Sequence, residues 1–151
     1  MITLHPIGTV RNSRPTVDDD HWGSLVSTIE LNDSLGDDAL EHIDDFSHAE
    51  VIFFFHHGEE GKVETGARHP RDNQNWPKVG ILAQRGKDRP NRLGLTTVKI
   101  IRRTGTTLVV EGLDAMDGTP VLDIKPVMKE FLPRGEVHQP AWATELMHNY
   151  W

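Results

Sequence analysis

Two segments of the chain carry side chains whose types and spacing suit the binding of an anionic or polar ligand. The first runs from Gly80 to Gly94 and places Arg85, Arg89 and Arg92 around a turn stiffened by a Pro-Asn pair. An arginine guanidinium presents a planar set of donors that matches a carboxylate or a phosphate. The segment is therefore either an anion-binding turn or an arginine-rich hairpin tip exposed to water, and the sequence leaves both open.

The second segment runs from Leu113 to Pro126 and combines a turn with a short strand. Asp117 and Gly118 mark the tight turn. Further on, Asp123 and Lys125 alternate with apolar neighbours, so both should point to the same face of a strand. In a cleft, this carboxylate and ammonium would anchor polar groups of a ligand. On an open surface they would form an ion pair worth less than about 1 kcal/mol.

Most other common chemistries lack their sequence signals. The chain has no cysteine, which excludes disulfides, thiolate catalysis and cysteine-bound metal centres. His56 and His57 are neighbours in a predicted strand, so their side chains should point to opposite faces and cannot share an ion. No zinc-protease motif, serine elbow, Walker loop or dinucleotide-binding glycine motif occurs. We therefore predict no metal site and no Rossmann-type cofactor site.

The charge is distributed unevenly along the chain. The total of 16 Lys and Arg against 23 Asp and Glu gives a net charge of -7, which argues against a nucleic-acid partner. Residues 61–110, however, hold 11 Lys and Arg and 3 Asp and Glu. This segment is either a binding face for a phosphate-bearing partner or a set of scattered, solvated side chains.

Length and hydropathy indicate one soluble domain. A chain of 151 residues buries enough surface to form a core without metal or disulfide support. No apolar run approaches the roughly 18 residues of a membrane span. The first residues also lack the basic and apolar stretches of a secretory signal. We expect a cytoplasmic protein that does not bind membranes.

Apolar residues recur at every second position or in short runs between Gly, Pro, Asn and Asp, which is typical of β-strands. Many short strands with few helices favour an all-β fold with minor α content, here a small antiparallel barrel. Thr104-Gly105-Thr106 separates two strands at hairpin distance. The seven predicted strands are Ile2–Val10, Leu25–Leu31, Val51–Phe55, Val79–Ala83, Thr96–Ile101, Thr107–Gly112 and Val121–Ile124.

Two helices are predicted outside these strands. Apolar side chains recur at helical spacing near residues 35–45, with Asp33 or Ser34 as the cap. The second helix covers Gln139–Tyr150, where aromatic and apolar residues recur every four positions. We interpret the apolar stripe of this second helix as packing surface, within the subunit or across a dimer.

Six short motifs follow one another along the chain. They are Ile7–Ser13, Phe46-Ser47-His48, Phe55-His56-His57, His69-Pro70-Arg71, Arg89-Pro90-Asn91 with Gly94, and the run DGTPVLDIKP at Asp117–Pro126. This series resembles the TsaA-like family of S-adenosylmethionine-dependent methyltransferases over about residues 3–126. The DGTPVLDIKP run is the most specific of the six.

The resemblance implies a single β-barrel domain over residues 1–151, with its core at about 3–126 and a helical extension at 127–151. It also implies S-adenosylmethionine as the cofactor and a homodimer. Characterised family members methylate N6 of a threonylcarbamoyl-modified adenosine beside the tRNA anticodon, so tRNA is the expected substrate. Two alternatives stay open: a methyltransferase acting on a small molecule, and a module that binds the cofactor without turnover.

The matching motifs carry the family's contacts onto this chain residue by residue. The cofactor contacts fall on His56, His57, Arg89, Leu95, Ala115, Met116, Asp117, Gly118 and Thr119, and a looser match adds Trp22 and Gly23. The candidate substrate-binding residues are His69, Arg71, Arg85, Asn91 and Lys125.

Three carboxylates are candidates for the catalytic role, namely Asp114, Asp117 and Asp123. The exocyclic amine of adenine is a poor nucleophile, because its lone pair is delocalised into the ring. A carboxylate that accepts an N–H bond from this amine would assist it. The alternative is that these side chains bond backbone N–H groups and fix the local turn.

Overall fold

The computed structural model describes residues 1–16, 18–58 and 60–151. Within them, eight strands and one α-helix form the regular structure, joined by turns that include several of 3₁₀ type. The strands are β1 (Gly8–Arg11), β2 (Val26–Leu31), β3 (His48–Phe54), β4 (Ala67–Arg68), β5 (Val79–Gly80), β6 (Leu93–Thr104), β7 (Thr107–Glu111) and β8 (Pro120–Pro126), and the helix is α1 (Ala141–Leu146).

Six of the strands close into a barrel. Their order around it is β1-β2-β7-β6-β3-β8, and every neighbouring pair is antiparallel. β4 and β5 form a separate two-stranded ribbon. The predicted antiparallel barrel is confirmed, although the seven expected strands become six in the barrel and two outside it. No sequence pattern predicts β4, because a strand of two residues shows no alternation.

The β6–β7 hairpin turns at Gly105 and Thr106, between the paired residues Thr104 and Thr107. Gly105 has a φ of +59°, which glycine adopts without the steric penalty that a Cβ brings. The hairpin predicted at Thr104-Gly105-Thr106 is confirmed.

Pairing partners decide where β1 begins. Gly8 faces Leu31 of β2 on one side and Val121 of β8 on the other. Residues 2–6 are exposed and take no part in the barrel. The predicted strand Ile2–Val10 is therefore too long at its start, because alternation alone does not reveal where the neighbouring strands end.

Two other predicted strands differ in length for the same reason. Of Val79–Ala83, only the first two residues pair with β4, and the chain then enters a 3₁₀ turn at Ile81–Ala83. The strand predicted at Thr96–Ile101 extends over the whole of β6, because β3 pairs with its first half and β7 with its second.

The predicted helix near residues 35–45 is wrong. The regular structure there is a 3₁₀ turn at Ile43–Asp45, and His42 precedes it with a φ of +65°. A residue in the left-handed region cannot continue the hydrogen-bond series of a right-handed helix. The apolar side chains of this segment instead cover the barrel, where they border a cavity of about 200 Å³.

The predicted helix Gln139–Tyr150 is shorter than expected. α1 begins directly after Pro140, as the position of this proline predicts, and ends at Leu146. Residues 147–151 leave the helix and return to the barrel end where β7 leads into β8. No helix in the described part of the chain combines the length and apolar character needed to span a membrane.

Inward-facing side chains of the six strands fill the barrel. Val10, Ile29, Phe53, Val98 and Val110 are each at most 2% exposed. In β3 buried residues alternate with partly exposed ones, as the two-residue period of a strand requires. Burial of these apolar side chains is the main source of stability for the barrel.

Gly94 makes room for the largest side chain of this core. It stands directly opposite Phe53 in the β3–β6 ladder. A Cβ at position 94 would overlap the Phe53 ring. The glycine of the Arg-Pro-Asn motif is therefore required by packing inside the barrel.

Candidate functional site

Asp114 lies at the centre of the site, just after β7 ends. One oxygen of its carboxylate accepts a hydrogen bond from the hydroxyl of Thr96, and the other accepts one from the phenol of Tyr150. Thr96 belongs to β6 and is buried, and Asp114 and Tyr150 are partly buried. Two hydroxyl donors, one for each oxygen, thus hold the carboxylate in a defined orientation.

Two arginines lie close enough to Tyr150 to act on its ionisation. Burial raises the pKa of the Tyr150 phenol well above its ordinary value, and the charge and hydrogen bond of Asp114 raise it further. The positive charges of Arg85 and Arg71 lower this pKa, but they offset only part of the rise. The phenol therefore stays protonated at physiological pH and acts as a donor to Asp114.

The two arginines reach this position from different loops. Arg71 pairs with the carboxylate of Asp20 at 3.0 Å and donates to the backbone carbonyl of Asp19 at 3.2 Å. Arg85 donates to the backbone carbonyl of Leu95 in β6. The structure thus brings together Arg71, Arg85 and Asp114, which the sequence analysis assigned to substrate binding and catalysis.

Two similar turns contribute residues to this end of the barrel. Each consists of a residue, a proline and two residues with positive φ, at His69-Pro70-Arg71-Asp72 and at Arg89-Pro90-Asn91-Arg92. The φ values are 50° and 55° in the first turn and 64° and 49° in the second. Such conformations are costly for residues with a Cβ and cluster at functional sites. Both turns belong to motifs of the family resemblance.

The turn at residues 115–119 is tied to the loop after β1. The carboxylate of Asp117 accepts a hydrogen bond from the backbone N–H of Asn12 at 3.1 Å. The backbone N–H of Asp117 donates to the carbonyl of Arg14 at 2.8 Å. The side chain of Asn12 donates to the carbonyl of Ala115 at 2.8 Å. Asp117 therefore fixes the turn, which is the alternative that the sequence left open for it.

His56 lies against the same turn. Gly118 has a φ of +84°, and a Cβ there would lie 3.9 Å from Nε2 of His56. The rings of His56 and His57 have centroids 4.0 Å apart and an interplanar angle of 57°. The expectation that these side chains point to opposite faces is wrong, because β3 ends at Phe54 and both histidines lie in the following turn.

The environment of His56 favours its neutral form. Burial lowers the pKa of His56 below its ordinary value, and the charge of His57 lowers it further. A hydrogen bond with the backbone of Phe54 raises the pKa by less. His56 is thus neutral at physiological pH, donates its N–H to the backbone of Phe54 and keeps its other ring nitrogen as an acceptor for a ligand.

The variant His57→Ala should raise the pKa of His56 toward 6.5, because it removes the charge repulsion. NMR titration of the imidazole C–H signals measures this shift. Because folding lowers the pKa of His56, the contribution of its neutral form to folding stability is complete above about pH 6.5. This contribution declines as the pH falls below that value. His138→Ala, at an exposed position, is the control. An unchanged His56 titration in His57→Ala would contradict this account.

Three further residues that the resemblance assigns to the cofactor lie around the same barrel end. Arg89 donates to the carbonyl of Gln84 at 2.6 Å, and Leu95 is 46% exposed on the outside of β6. Trp22 is buried beneath the guanidinium of Arg14, whose central carbon lies 3.8 Å from the ring centroid. The neighbouring Gly23 lies against the backbone of Trp151.

Several predicted site residues have other roles in the fold. Asp123 and Lys125 form a partly exposed ion pair at 3.2 Å, and Asp123 borders the small cavity under residues 35–43 instead of the Asp114 cluster. His69 donates from Nδ1 to the carbonyl of Trp76 at 2.7 Å and so closes its own loop. Asn91 is exposed in the second of the two proline turns.

Tyr150 is the site residue that sequence reasoning missed. Its four-residue spacing from Leu146 predicted helical packing surface, yet it lies beyond the end of α1. The backbone N–H of Trp22 donates to the carbonyl of Tyr150 at 2.8 Å.

The helix before Tyr150 is held separately. The indole N–H of Trp76 donates to Glu145 at 2.7 Å, which anchors α1 to the loop after β4.

The described residues include no group of three or more His, Asp or Glu side chains placed to hold a metal ion. The donor set does fit a nucleoside cofactor that carries an amino-acid group. The buried Nε of Arg14, beside Trp22, has no hydrogen-bond partner among the described residues and can donate to a ligand. Neutral His56 and the 115–119 backbone add polar contacts, and Arg89 supplies a positive charge for a carboxylate.

Comparison with known proteins places this geometry in a family. The model of the tRNA-methyltransferase O N-terminal domain matches residues 15–131. The human tRNA (adenine(37)-N6)-methyltransferase is 33% identical over 111 residues, which are 74% of this chain and 25% of the human protein. A probable S-adenosyl-L-methionine-binding protein from Methanothermobacter thermautotrophicus is 33% identical over 132 residues, which are 85% of this chain and 92% of that protein.

The solved structures agree with the sequence comparisons. TrmO from Pseudomonas aeruginosa superposes with a TM-score of 0.74 at 25% identity, covering 94% of this chain and 62% of that one. The chain thus spans a quarter of the human relative and nearly all of the Methanothermobacter one. With more than half of its length matched by the family model, the chain belongs to the tRNA-methyltransferase O N-terminal domain family.

Proposed function

We propose that the chain binds S-adenosylmethionine and transfers its methyl group to N6 of an adenine in tRNA, at the position 37 named for its relatives. The observation that carries the proposal is the carboxylate of Asp114, held by two hydroxyls beside Arg71 and Arg85. It adjoins the 115–119 turn, against which His56 packs. An acceptor site and a candidate cofactor site are therefore next to each other.

The residues that would hold the cofactor are His56, Arg89, Arg14 and the backbone of the 115–119 turn. When bound, S-adenosylmethionine supplies an electrophilic methyl group on a sulfonium. The chain's own task is then to align the acceptor nitrogen with this methyl group and to exclude water. The hydrogen bonds that tie Asn12 to the turn give the site the rigidity that such alignment requires.

Asp114 would act on the acceptor nitrogen. Its carboxylate accepts the N–H of the exocyclic amine and takes up the proton that the nitrogen releases as the new N–C bond forms. Thr96 and Tyr150 each occupy one lone pair of an oxygen, so each oxygen keeps a second lone pair for this bond.

Arg71 and Arg85 would bind the anionic parts of the substrate. Their guanidinium groups suit a phosphate of the anticodon loop or the carboxylate of a threonylcarbamoyl group. Both belong to the cationic segment 61–110, so they lie in the part of an acidic chain that favours an RNA partner.

Methyl transfer is tested with the purified chain, labelled S-adenosylmethionine and tRNA that carries the threonylcarbamoyl adenosine. The expected result is a labelled methyl group on that nucleoside, identified by mass spectrometry after digestion. The same tRNA without the threonylcarbamoyl group is the matched substrate control. In a parallel assay with a metabolite extract added, label in a small metabolite but not in RNA would favour a small-molecule methyltransferase instead.

A second candidate function is binding of the cofactor without turnover. The relatives from Methanothermobacter thermautotrophicus and Pyrococcus abyssi are named only as probable S-adenosyl-L-methionine-binding proteins, and the first is matched over 92% of its length. Calorimetric binding with no methyl transfer to RNA or metabolites would support this function.

Cofactor binding itself is tested by titrating S-adenosylmethionine into the wild-type protein and into Arg89→Ala. We expect the affinity to fall roughly 10-fold in Arg89→Ala, because one charge-assisted hydrogen bond is lost. Arg102→Ala, at an exposed position of β6, is the control and should bind as the wild type does. No binding heat with folded wild-type protein would contradict both candidate functions.

The homodimer and the cytoplasmic location that the sequence analysis implies remain part of this proposal. Light scattering of the purified chain measures the first, and cell fractionation the second.

A further inference from the structure

We propose that Tyr150 is a positioning residue that orients Asp114 for methyl transfer, so that residues 147–151 form part of the site. The inference rests on the proposed function. The family model ends at residue 131, so the match assigns no role to this segment.

The first observation is how the Asp114 carboxylate is held. Thr96 restrains one oxygen and Tyr150 the other. With a single donor, a carboxylate can still rotate about its χ2 torsion, which has a broad energy profile. The second donor removes that freedom and fixes the direction of the remaining lone pairs. Tyr150 therefore decides where an acceptor N–H must lie in order to reach Asp114.

The second observation is that Tyr150 is itself held from several sides. The N–H groups of His21 and Trp22 donate to the carbonyls of Asn149 and Tyr150 at 2.9 Å and 2.8 Å. The Trp151 ring meets the Tyr150 ring edge to face, with centroids 4.8 Å apart. A phenol fixed at its backbone and its ring can impose an orientation on its partner.

The close approach of residue 151 to Gly23 shows how the segment fits its surroundings. A Cβ at Gly23 would lie 2.7 Å from the backbone carbon of Trp151. Because Gly23 has no Cβ, the loop that contains Trp22 and Gly23 leaves room for the backbone of Trp151.

The third observation is the charge around the phenol. Arg71 and Arg85 act on Tyr150 from the loops after β4 and β5, and Asp114 acts on it from the barrel. Despite the two cations, burial and Asp114 keep the phenol protonated, so it serves as a donor at physiological pH. Tyr150 accordingly transfers no proton in the reaction.

The test is Tyr150→Phe, which removes the hydroxyl and keeps the ring against Trp151. We expect kcat for methyl transfer to fall about 10- to 100-fold, since misplacement of a reacting group by about 1 Å costs up to that factor. The calorimetric affinity for S-adenosylmethionine should stay within about twofold of wild type. A purely structural role would instead lower the melting temperature and weaken cofactor binding together.

A double-mutant cycle shows whether Tyr150 acts through Asp114. In an Asp114→Asn background, Tyr150→Phe should cause little further loss, because two residues that act as one unit have non-additive effects. Trp76→Phe is the matched control, because it removes a different side-chain bond of the C-terminal segment, from Trp76 to Glu145, and leaves the Tyr150–Asp114 bond intact. Turnover by this control should stay within about twofold of wild type.

Two results would overturn the inference while leaving the proposed function standing. They are turnover by Tyr150→Phe equal to or above that of active wild type, and the same fold loss with and without the Asp114 side chain. Absence of methyl transfer by the wild-type protein would overturn the proposed function and this inference with it.

Discussion

The variant Asp114→Asn is expected to lower kcat for methyl transfer about 1000-fold, within the range that proton transfer by a positioned side chain contributes. An asparagine has the same shape, but its amide oxygen can accept only one of the hydrogen bonds that Thr96 and Tyr150 donate to separate oxygens, and it cannot take up a proton. The affinity for S-adenosylmethionine should change little, because the side chain of Asp114 faces two hydroxyl groups and not the 115–119 turn. Single-turnover assays measure the chemical step, and calorimetry measures binding.

The other two candidate carboxylates serve as controls for Asp114. Asp123→Asn should retain wild-type turnover, because Asp123 pairs with Lys125 outside the cluster. Asp117→Asn keeps an amide oxygen that can accept the N–H of Asn12, so it should cost less than about tenfold. A large loss in Asp123→Asn with an active Asp114→Asn would reverse the assignment.

The variant Gly94→Ala is expected to lower the free energy of unfolding by about 3 kcal/mol, the upper part of the usual range for overpacking a core. The added methyl group would overlap the ring of Phe53, which is 2% exposed and enclosed in the core of the barrel. For a domain of this size the melting temperature should fall by about 6–12 °C. Thermal unfolding followed by circular dichroism measures the change.

Gly80→Ala is the matched control for this experiment. Gly80 has a φ of -58°, and a Cβ there meets nothing within 4 Å. The substitution should be neutral or stabilise the protein by about 0.4–1 kcal/mol, because alanine restricts the unfolded chain. Equal melting temperatures for Gly94→Ala and Gly80→Ala would show that the barrel can relax around Phe53, against the packing described above.

The uneven charge of the chain has a specific structural result. Part of the positive segment is neutralised within the fold, by Arg68 with Asp88 at 3.1 Å and by Arg71 with Asp20 at 3.0 Å. Arg85 has a backbone carbonyl as its partner and keeps its full charge near Tyr150. Arg85 therefore contributes positive charge from this segment beside Tyr150 and Asp114.

Local sequence signals determined the class of fold. The two-residue period of β2, β3 and β6, the Gly105 turn and the absence of long helical periodicity all predict an antiparallel barrel, because they depend on neighbouring residues alone. The bounds of β1 and β5 did not follow, since they depend on partners distant in sequence. The false helix near residues 35–45 has apolar spacing of helical type, but His42 takes a positive φ there.

The motifs likewise determined which residues gather at one end of the barrel. His56, Gly118 and the arginines carry the resemblance, and the structure places His56 against Gly118. Sequence reasoning could not choose among three aspartates, because each stands beside turn residues or alternating apolar ones. Only their hydrogen bonds separate them: Asp117 to the backbone of Asn12, Asp123 to Lys125, and Asp114 to two hydroxyls.

What the sequence determined by itself was therefore the barrel, the chemistry of its motifs and the family to which they belong. What only the tertiary structure decided was the pairing of Asp114 with Tyr150, 36 residues later in the chain. The physical reason is that residues 127–140 have no regular pattern of apolar residues and are largely exposed. No local sequence signal therefore specifies the path of the chain from β8 to Tyr150. The position of Tyr150 is set instead by the loop at residues 21–23, whose backbone it meets.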